Sequence, residues 1–547
     1  MKKIFIGSVL AVGFLIICFY ANADFNLNLQ GVINTTSNAP IYTQAKENTF
    51  NAKADYSYGA NAFSGLGNIA STGTVSGNIV LENSRARVNV KSYGALGNGI
   101  HNLDAVFTSG HNYFTSASAS FTSADIGKVI TISNGVAAHQ DLVTTITAVT
   151  SSTQVTIGAS FTNSASGVRY TYGTDDTVAI QSAINAVAAM NGGTIYFPAG
   201  IYMVDGAYDA TIKSQLTLPT LDWDLTGNQT QYAVSICFEG DQFPCADEKP
   251  MIPQGGSIIY GCNTSAANGS YAILAGYNAS GSYYFTGVKC VLKNIRFRTV
   301  ENPTYSAVNL FYCPMAEGYN VYIDSDTPIE GNYVQPTQTD SWGLRMPTGG
   351  NDSDNKWDTV FVLNFYNGIE ATEHSISDHI HIFECINAFC PNSIGGHGIY
   401  AKSISAEDNL HAVDFTSGGG IVDIEYLDVE HNFPGWGTGY DINDPSNLGY
   451  GYIGFAFNSG NFSSIPPNLP IVNGGSHLSI FTFAASTETF AGNVGIDTNS
   501  PAQTLSVNGN FSVATGSSPN HCTCWKTGGV IGYCSTSPDS NGNCTCN

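Results

Sequence analysis

The sequence predicts an all-β chain wound as a parallel β-helix, a solenoid of stacked coils, and three observations predict it. From Val291 onward the chain is a series of short alternating strands split by turn residues: VLKNIRFR, EGYNVYID, KWDTVFVL, NGIEATE, SDHIHIFE, HGIYAKS, LHAVDFTS and GIVDIEYLDVEHN. Such runs, irregularly spaced and rich in β-branched residues, stack strand on strand so that inward side chains form one continuous core. Ahead of them, TDDTVAIQSAINAVAAMNGGTIYFPAGIYMV (174–204) reads as an amphipathic helix feeding a strand. Asp175 or Asp176 can cap its N-terminus, Val178, Ile180, Ile184 and Val187 follow at helical spacing, and Asn191-Gly192-Gly193 stops it. Placed there, the helix suits a lid over the open end of the solenoid. Finally, 547 residues that are 43% hydrophobic, with 29 Phe, supply a core for one long solenoid with appendages.

The elements follow in order. Lys2-Lys3, the apolar run Ile4 to Tyr20 and Ala21-Asn22-Ala23 have the form of a signal peptide over residues 1–23, cleaved before Asp24. A membrane anchor is the rival reading, because the run approaches the length of a membrane-spanning helix. The polar sequence that follows favours cleavage and export, with no membrane association afterwards. Residues 24–87 are rich in Asn, Ser, Thr, Ala and Gly and read as a linker or anchor; 88–475 hold the β-helix, interrupted at 100–173. That interruption contains FTSADIGKVITI and TTITAVTSSTQVTIG, β-branched runs joined by turns, and reads as a small inserted β-module. Asn294, Asn320 and Asn367 are placed to form or flank turns that need left-handed backbone. Residues 476–515 form a separate segment, and 516–547 a tail crowded with Cys522, Cys524, Cys534, Cys544 and Cys546. In an exported chain these read as a disulfide knot, and pairs such as Cys237–Cys245 and Cys385–Cys390 can staple loops.

Two stretches taken together carry a family resemblance. Tyr93-Gly94-Ala95, Gly97 and Gly99 are followed, after the insert, by Asp175-Asp176-Thr177, Ala179-Ile180-Gln181, Ala183-Ile184 and Phe197-Pro198-Ala199-Gly200-Ile201-Tyr202. This pattern resembles the opening motif of the pectate-lyase-3 superfamily, which implies a right-handed parallel β-helix acting on polysaccharide. In that family the two halves are nearly adjacent, and an insert at this point resembles phage tailspikes. Asn98 stands where the family has Asp, a position that is more often structural than catalytic. The segment Val494-Gly495-Ile496-Asp497-Thr498 through Leu505-Ser506-Val507-Asn508-Gly509 resembles phage tail fibres and trimeric surface proteins, which implies a homotrimer.

Composition narrows the partners. Net charge is −23, or −25 once Lys2 and Lys3 are removed, and only 11% of residues are charged. No basic stripe exists to neutralise phosphates, which argues against nucleic acid. A surface of hydroxyls, amides and aromatic faces suits polyols, so the expected partner is a cell-wall or capsular polysaccharide.

The densest set of titratable residues lies in the middle coils. Alternation turns Ile380, Ile382, Val422 and Ile424 inward and leaves His379, His381, Asp423 and Glu425 outward. Asp358 lies nearby, with Glu373, His374, Glu384, His411 and Asp414. Outward residues on neighbouring coils stand about 4.8 Å apart, so paired carboxylates can reach the separations of glycoside hydrolysis. Outward His and Asp on an exposed sheet are, however, more often simply solvated. A lyase would instead need a strong base, for which Arg296, Arg298 and Arg345 are candidates, together with Ca²⁺ on a loop such as Asp352, Asp354 and Asp358. Hydrolysis requires no cofactor, and His379 with His381 is too little to define a metal site. Trp357 and Trp436 are candidate sugar-stacking platforms, with burial in the core as the alternative. Three functions stay open: a polysaccharide-cleaving enzyme, a carbohydrate-binding spike or adhesin, and a structural fibre.

Overall fold

The computed structural model describes residues 86–206 and most of 214–457. The longer stretches left out are 207–213, 220–233, 242–255, 263–271, 277–287, 327–334, 348–353, 393–397 and 431–435. Short strand segments are described between 472 and 533. The signal peptide, the N-terminal linker and most of the cysteine-rich tail therefore lie outside the described residues.

Each coil of the solenoid contributes one long and one short strand. The long strands stack in parallel into a 14-stranded sheet that includes Val288–Thr299, Glu317–Ser325, Asn355–Leu363, Ser375–Phe383, Gly398–Glu407, Gly420–Glu430 and Gly449–Phe457. Short strands such as Ser306–Asn309, Trp342–Arg345, Asn367–Thr372, Asn387–Asn392 and His411–Asp414 stack into a nine-stranded sheet. Parallel strands joined by such crossovers wind right-handed, and the fold is a right-handed parallel β-helix. Its core is the continuous stack of inward residues, among them Ile295, Val321, Val360, Ile380, Ile404 and Leu427, all fully buried.

A bend divides each long strand. Register runs Asn294, Asn320, Thr359, His379 from coil to coil, and all four have left-handed backbone, with φ of 50°, 52°, 56° and 50°. Asn adopts this conformation at little cost, and the Asn320 amide donates to Asn294 Oδ1 at 3.0 Å. The column forms a corner, so the long strands present two outward faces, one upstream of it and one downstream. Asn367 has no such φ; it begins a short strand, and the Asn387 amide donates to its Oδ1 at 2.9 Å.

The two halves of the opening motif meet in space. Helix α1 (Thr177–Ala189) packs Ile180, Ala183, Ile184 and Val187 into the core beside the first coils. Asp175 accepts hydrogen bonds from the Thr177 backbone N–H at 3.0 Å and from the Thr177 hydroxyl. Asp176 instead receives the N–H groups of Leu96 (2.7 Å) and Gly97 (3.0 Å). Asn98 exchanges bonds with Thr174: its amide donates to Oγ1 at 3.1 Å and its Oδ1 accepts from the backbone N–H at 3.0 Å. Gly97, at φ +58°, is pressed by the Tyr202 ring, where an added Cβ would come within 2.6 Å.

Between those halves lies a six-stranded closed barrel, Ile100–Phe107 through Ala165–Gly173, with its own core of Phe107, Phe114, Phe121, Phe161, Tyr170 and Tyr172. A polar cluster joins it to the solenoid. Arg169 pairs with Asp141 of the barrel (3.1 Å) and with Asp326 of the solenoid (2.7 Å), while Ser133 donates to Glu301 (2.8 Å). Further on, Val494–Ile496 pairs in parallel with Leu505–Val507.

The expected Cys385–Cys390 staple is corrected: both are free, fully buried thiols. They sit on coils whose backbone already fixes them, with Cys385 N–H donating to Asn409 Oδ1 at 2.8 Å. Cys245 lies outside the described residues.

Candidate functional site

The upstream face gathers most of the residues singled out in the sequence. Asp358, Asp378, Lys402 and Glu425 occupy one column on successive coils. His379, at the corner, places Nδ1 3.1 Å from Asp358 Oδ1, and Lys402 donates to Asp378 at 3.0 Å. The Tyr400 hydroxyl donates to Glu425 Oε1 at 2.5 Å, and Asp423 stands opposite Tyr400 on the next strand. Ile380, Ile382, Val422 and Ile424 do point inward, and His379, Asp423 and Glu425 are exposed. The face is open, and its charges are largely paired with one another.

His381 belongs elsewhere. It lies past the corner, in a downstream column running Arg296, Tyr322, Phe361, His381, Ser405, Asp428. Here the Arg296 guanidinium sits 4.4 Å from the Tyr322 ring centroid. Tyr322 stacks on Phe361 at 5.8 Å, and Phe361 on His381 at 4.6 Å with planes 10° apart. Burial lowers the His381 pKa, with His379 adding to the effect. The neighbouring column holds Arg298, Asp324, Leu363, Phe383, Glu407 and Glu430.

Connection lengths shape this downstream side. After Leu363, Phe383 and Glu407 the chain needs only the three-residue turns 364–366, 384–386 and 408–410 to reach the next short strand. The flanking coils make the same connection with residues 326–341 and 431–439. Gln335 of the first and Trp436 of the second are in contact: Gln335 Nε2 donates to the Trp436 carbonyl at 3.4 Å. The three short turns open on Asn364, Glu384 and Asp408, all with left-handed backbone (φ 62°, 54° and 53°).

Glu384 is the unusual group. It is 4% exposed, and its Oε2, like Asn364 Oδ1, finds no hydrogen-bond partner among the described residues. Burial pushes its pKa up to about 10, with the charges of Asp408 and Glu407 adding to the rise. Asp428 is also raised, by burial and then by Glu430. A neutral carboxyl and ionisable carboxyls on the adjacent strand thus stand together at the end of an aromatic column. A carboxyl whose surroundings favour its neutral form can serve as a proton donor.

Several expectations need correction. Trp357 is fully buried in the core, stacked over Gly318, so it offers no face to a sugar. Arg296 and Arg298 are 4% and 3% exposed and both pair with Asp324 at 2.7 Å, because a guanidinium removed from water must find a carboxylate. Arg345 lies on the short-strand sheet, paired with Glu370 (2.5 Å) and beside the Trp342 and Phe311 rings. Trp436 is half-buried at the meeting of the long connections. Of the suggested Ca²⁺ loop, Asp352 lies outside the described residues, Asp354 is exposed and Asp358 faces His379. Among the described residues no cluster of three His, Cys, Asp or Glu side chains is arranged to hold a metal.

Sequence reasoning noted Glu384 only as a neighbour and passed over Glu407 and Asp408. The available signal was spacing: three coils with minimal turns between two with long ones.

Residues 164–235 match the family model described as rhamnogalacturonase A/epimerase, pectate lyase-like. That stretch is pectate-lyase-like. It holds the last barrel strand, helix α1 and the first coils, where the motif halves meet. No curated protein sequence matches the chain. Among solved structures it is similar to ORF18 of Geobacillus virus E2, at 12% identity and a TM-score of 0.33, covering 72% of this chain and 60% of that one. It is also similar to the catalytic unit of a GH87 α-1,3-glucanase from Streptomyces thermodiastaticus (12%, TM-score 0.29, covering 67% and 78%). A third is a tailspike protein mutant of E. coli bacteriophage HK620 in complex with pentasaccharide (14%, TM-score 0.28, covering 52% and 54%). Among the described residues no helix is long and apolar enough to cross a membrane.

Proposed function

We propose that this chain is an exported or virion-displayed protein that binds a cell-wall or capsular polysaccharide and hydrolyses its glycosidic bonds, working as a homotrimer. One observation carries the reading: the Tyr322–Phe361–His381 stack leads to a group of carboxyls in which Glu384 is held protonated at neutral pH. Aromatic faces take the apolar faces of sugar rings. In this reading the neutral Glu384 gives its proton to the leaving glycosidic oxygen. Glu407, one strand on and beside Phe383, then serves as base or nucleophile. The pectate-lyase-like match supports a carbohydrate as the partner.

Hydrolysis is preferred to β-elimination because the cations expected to act as base are engaged: Arg296 and Arg298 in Asp324, Arg345 in Glu370. The test is incubation of the mature chain with capsules, O-polysaccharides and pectins, following reducing ends and the ultraviolet absorbance of unsaturated uronate. Reducing ends without absorbance, abolished in Glu384→Gln and Glu407→Gln, are expected. Absorbance would make the protein a lyase, with Ca²⁺ dependence the next question. Retention of glycan with neither signal would make it a non-cleaving adhesin or spike.

A further inference from the structure

The upstream face is set apart from the catalytic floor by the corner, yet rides on the same coils. Its outward columns run Ile376, Tyr400, Asp423, Tyr452 and Asp378, Lys402, Glu425. Beside them Ile421 stands opposite Gly398, and Tyr426 lies at the corner position. Large apolar groups are unusually open here: Ile376 is 52% exposed, Ile421 43% and Tyr426 47%. Together they make one face on which apolar groups recur, on the first and third of three neighbouring coils.

The rings and aliphatic groups are not continuous. Polar edges interleave them: Asp423 lies between Tyr400 and Tyr452 in register, and Glu425 accepts from the Tyr400 hydroxyl. Lys402 is matched to Asp378 and Lys289 to Glu317, while Asp423 and Glu425 have no ion pair among the described residues, so the face offers hydrogen-bond acceptors and is unsuited to a polyanionic chain. Rings set between fixed carboxylates suit a chain of uncharged sugars, whose ring faces are apolar and whose rims are hydroxyls. A protein partner would better fit an unbroken apolar patch.

We propose that the upstream face over the coils Ser375–Phe383, Gly398–Glu407, Gly420–Glu430 and Gly449–Phe457 is a second, non-catalytic binding surface for uncharged polysaccharide. Tyr400 and Tyr452 are its stacking groups, and Asp423 and Glu425 accept sugar hydroxyls. It holds a long chain on the solenoid while the downstream floor acts. It rests on the polysaccharide reading above, but not on cleavage.

The test is affinity electrophoresis of the full chain in gels containing dextran, galactomannan or purified O-polysaccharides. The wild type is compared with Tyr400→Ala/Tyr452→Ala, Tyr400→Phe/Tyr452→Phe and Glu384→Gln. The double alanine variant is expected to lose at least tenfold in affinity for the polymer that retards the wild type. The double phenylalanine variant, which keeps both rings, and Glu384→Gln should stay retarded. Turnover of short oligosaccharides should be unchanged in the alanine variant. If nothing is cleaved but retardation is lost in that variant, the proposed hydrolysis fails and this surface stands. Unchanged retardation of the alanine variant, or a wild type retarded by none of the polymers, overturns it. So does a fall in the sedimenting mass of the alanine variant, which would make the face a contact between copies of the chain.

Discussion

Glu384 occupies a backbone conformation that glutamate seldom adopts, and one of its carboxyl oxygens is buried without a donor among the described residues. Both features cost stability, of the order of 1–3 kcal/mol each, and strain of this kind collects at functional sites. The raised pKa of Glu384 follows from its setting: burial is the larger cause, and the charges of Asp408 and Glu407 add to it. Replacement by Gln keeps the shape and removes the acid. Glu384→Gln is expected to lower kcat by about 10²–10⁴ while leaving the urea midpoint unchanged or higher, because no buried carboxyl then resists ionisation. A variant that kept full turnover would remove Glu384 from the chemistry. Asp423→Asn and Glu425→Gln, on the open upstream face, are expected to leave kcat on short oligosaccharides unchanged, as single-turnover rates would show.

At the scale of the element, the corner governs where side chains can act. Two of its four residues are Asn, but the register puts Thr359 and His379 in the same left-handed backbone. A β-branched residue is badly suited to positive φ. Thr359→Asn is therefore expected to raise stability by about 1 kcal/mol, extending the amide ladder begun by Asn294 and Asn320; a lower urea midpoint would refute this. The corner also explains what could be read in the sequence. Alternation is local, so the inward Ile380, Ile382, Val422 and Ile424 were legible, and so was the motif that joins Asp176 to Leu96 and Gly97. Asn marks the left-handed position in mid-strand at Asn294 and Asn320, but nothing in the sequence marks it at His379, so strict alternation puts His379 and His381 on one face although the bend separates them. For Trp357, where platform and core were both open in the sequence, the deciding feature lies elsewhere. Its inward position is given by alternation, but the room for an indole comes from Gly318, one coil away in space and 39 positions away in sequence. Likewise Asp324, which neutralises Arg296 and Arg298, lies on the next coil.

At the scale of the whole molecule, a buried charge cluster joins the barrel to the solenoid, beside an apolar contact in which Val129 of the barrel enters the solenoid's core. Arg169, Arg296 and Arg298 face Asp141, Asp324, Asp326 and Glu301, so three guanidiniums meet four carboxyls. The excess is relieved by a proton. Burial raises Glu301 to about 8, with Asp141 contributing next, and Asp141 is raised as well, chiefly by its own burial. Asp324 moves the other way, lowered by Arg296 and Arg298 against its burial. Glu301 also touches His139 at 2.9 Å, on the barrel's exposed rim, and Ser133 at 2.8 Å within. The sign of the pH effect follows. A carboxyl whose folded pKa lies above its ordinary value gives stability that is complete below that value and lost as pH rises through the folded one. For Glu301 the loss runs from about 4.5 to about 8. Urea midpoints measured between about pH 5 and pH 9 should fall for the wild type across this window and fall less for Glu301→Gln, whose amide never ionises. Arg169→Met should weaken the joint at every pH, since it leaves Asp141 and Asp326 without their shared guanidinium, a loss of about 3–5 kcal/mol. Equal pH slopes in wild type and Glu301→Gln would show that Glu301 is not the group that carries the proton.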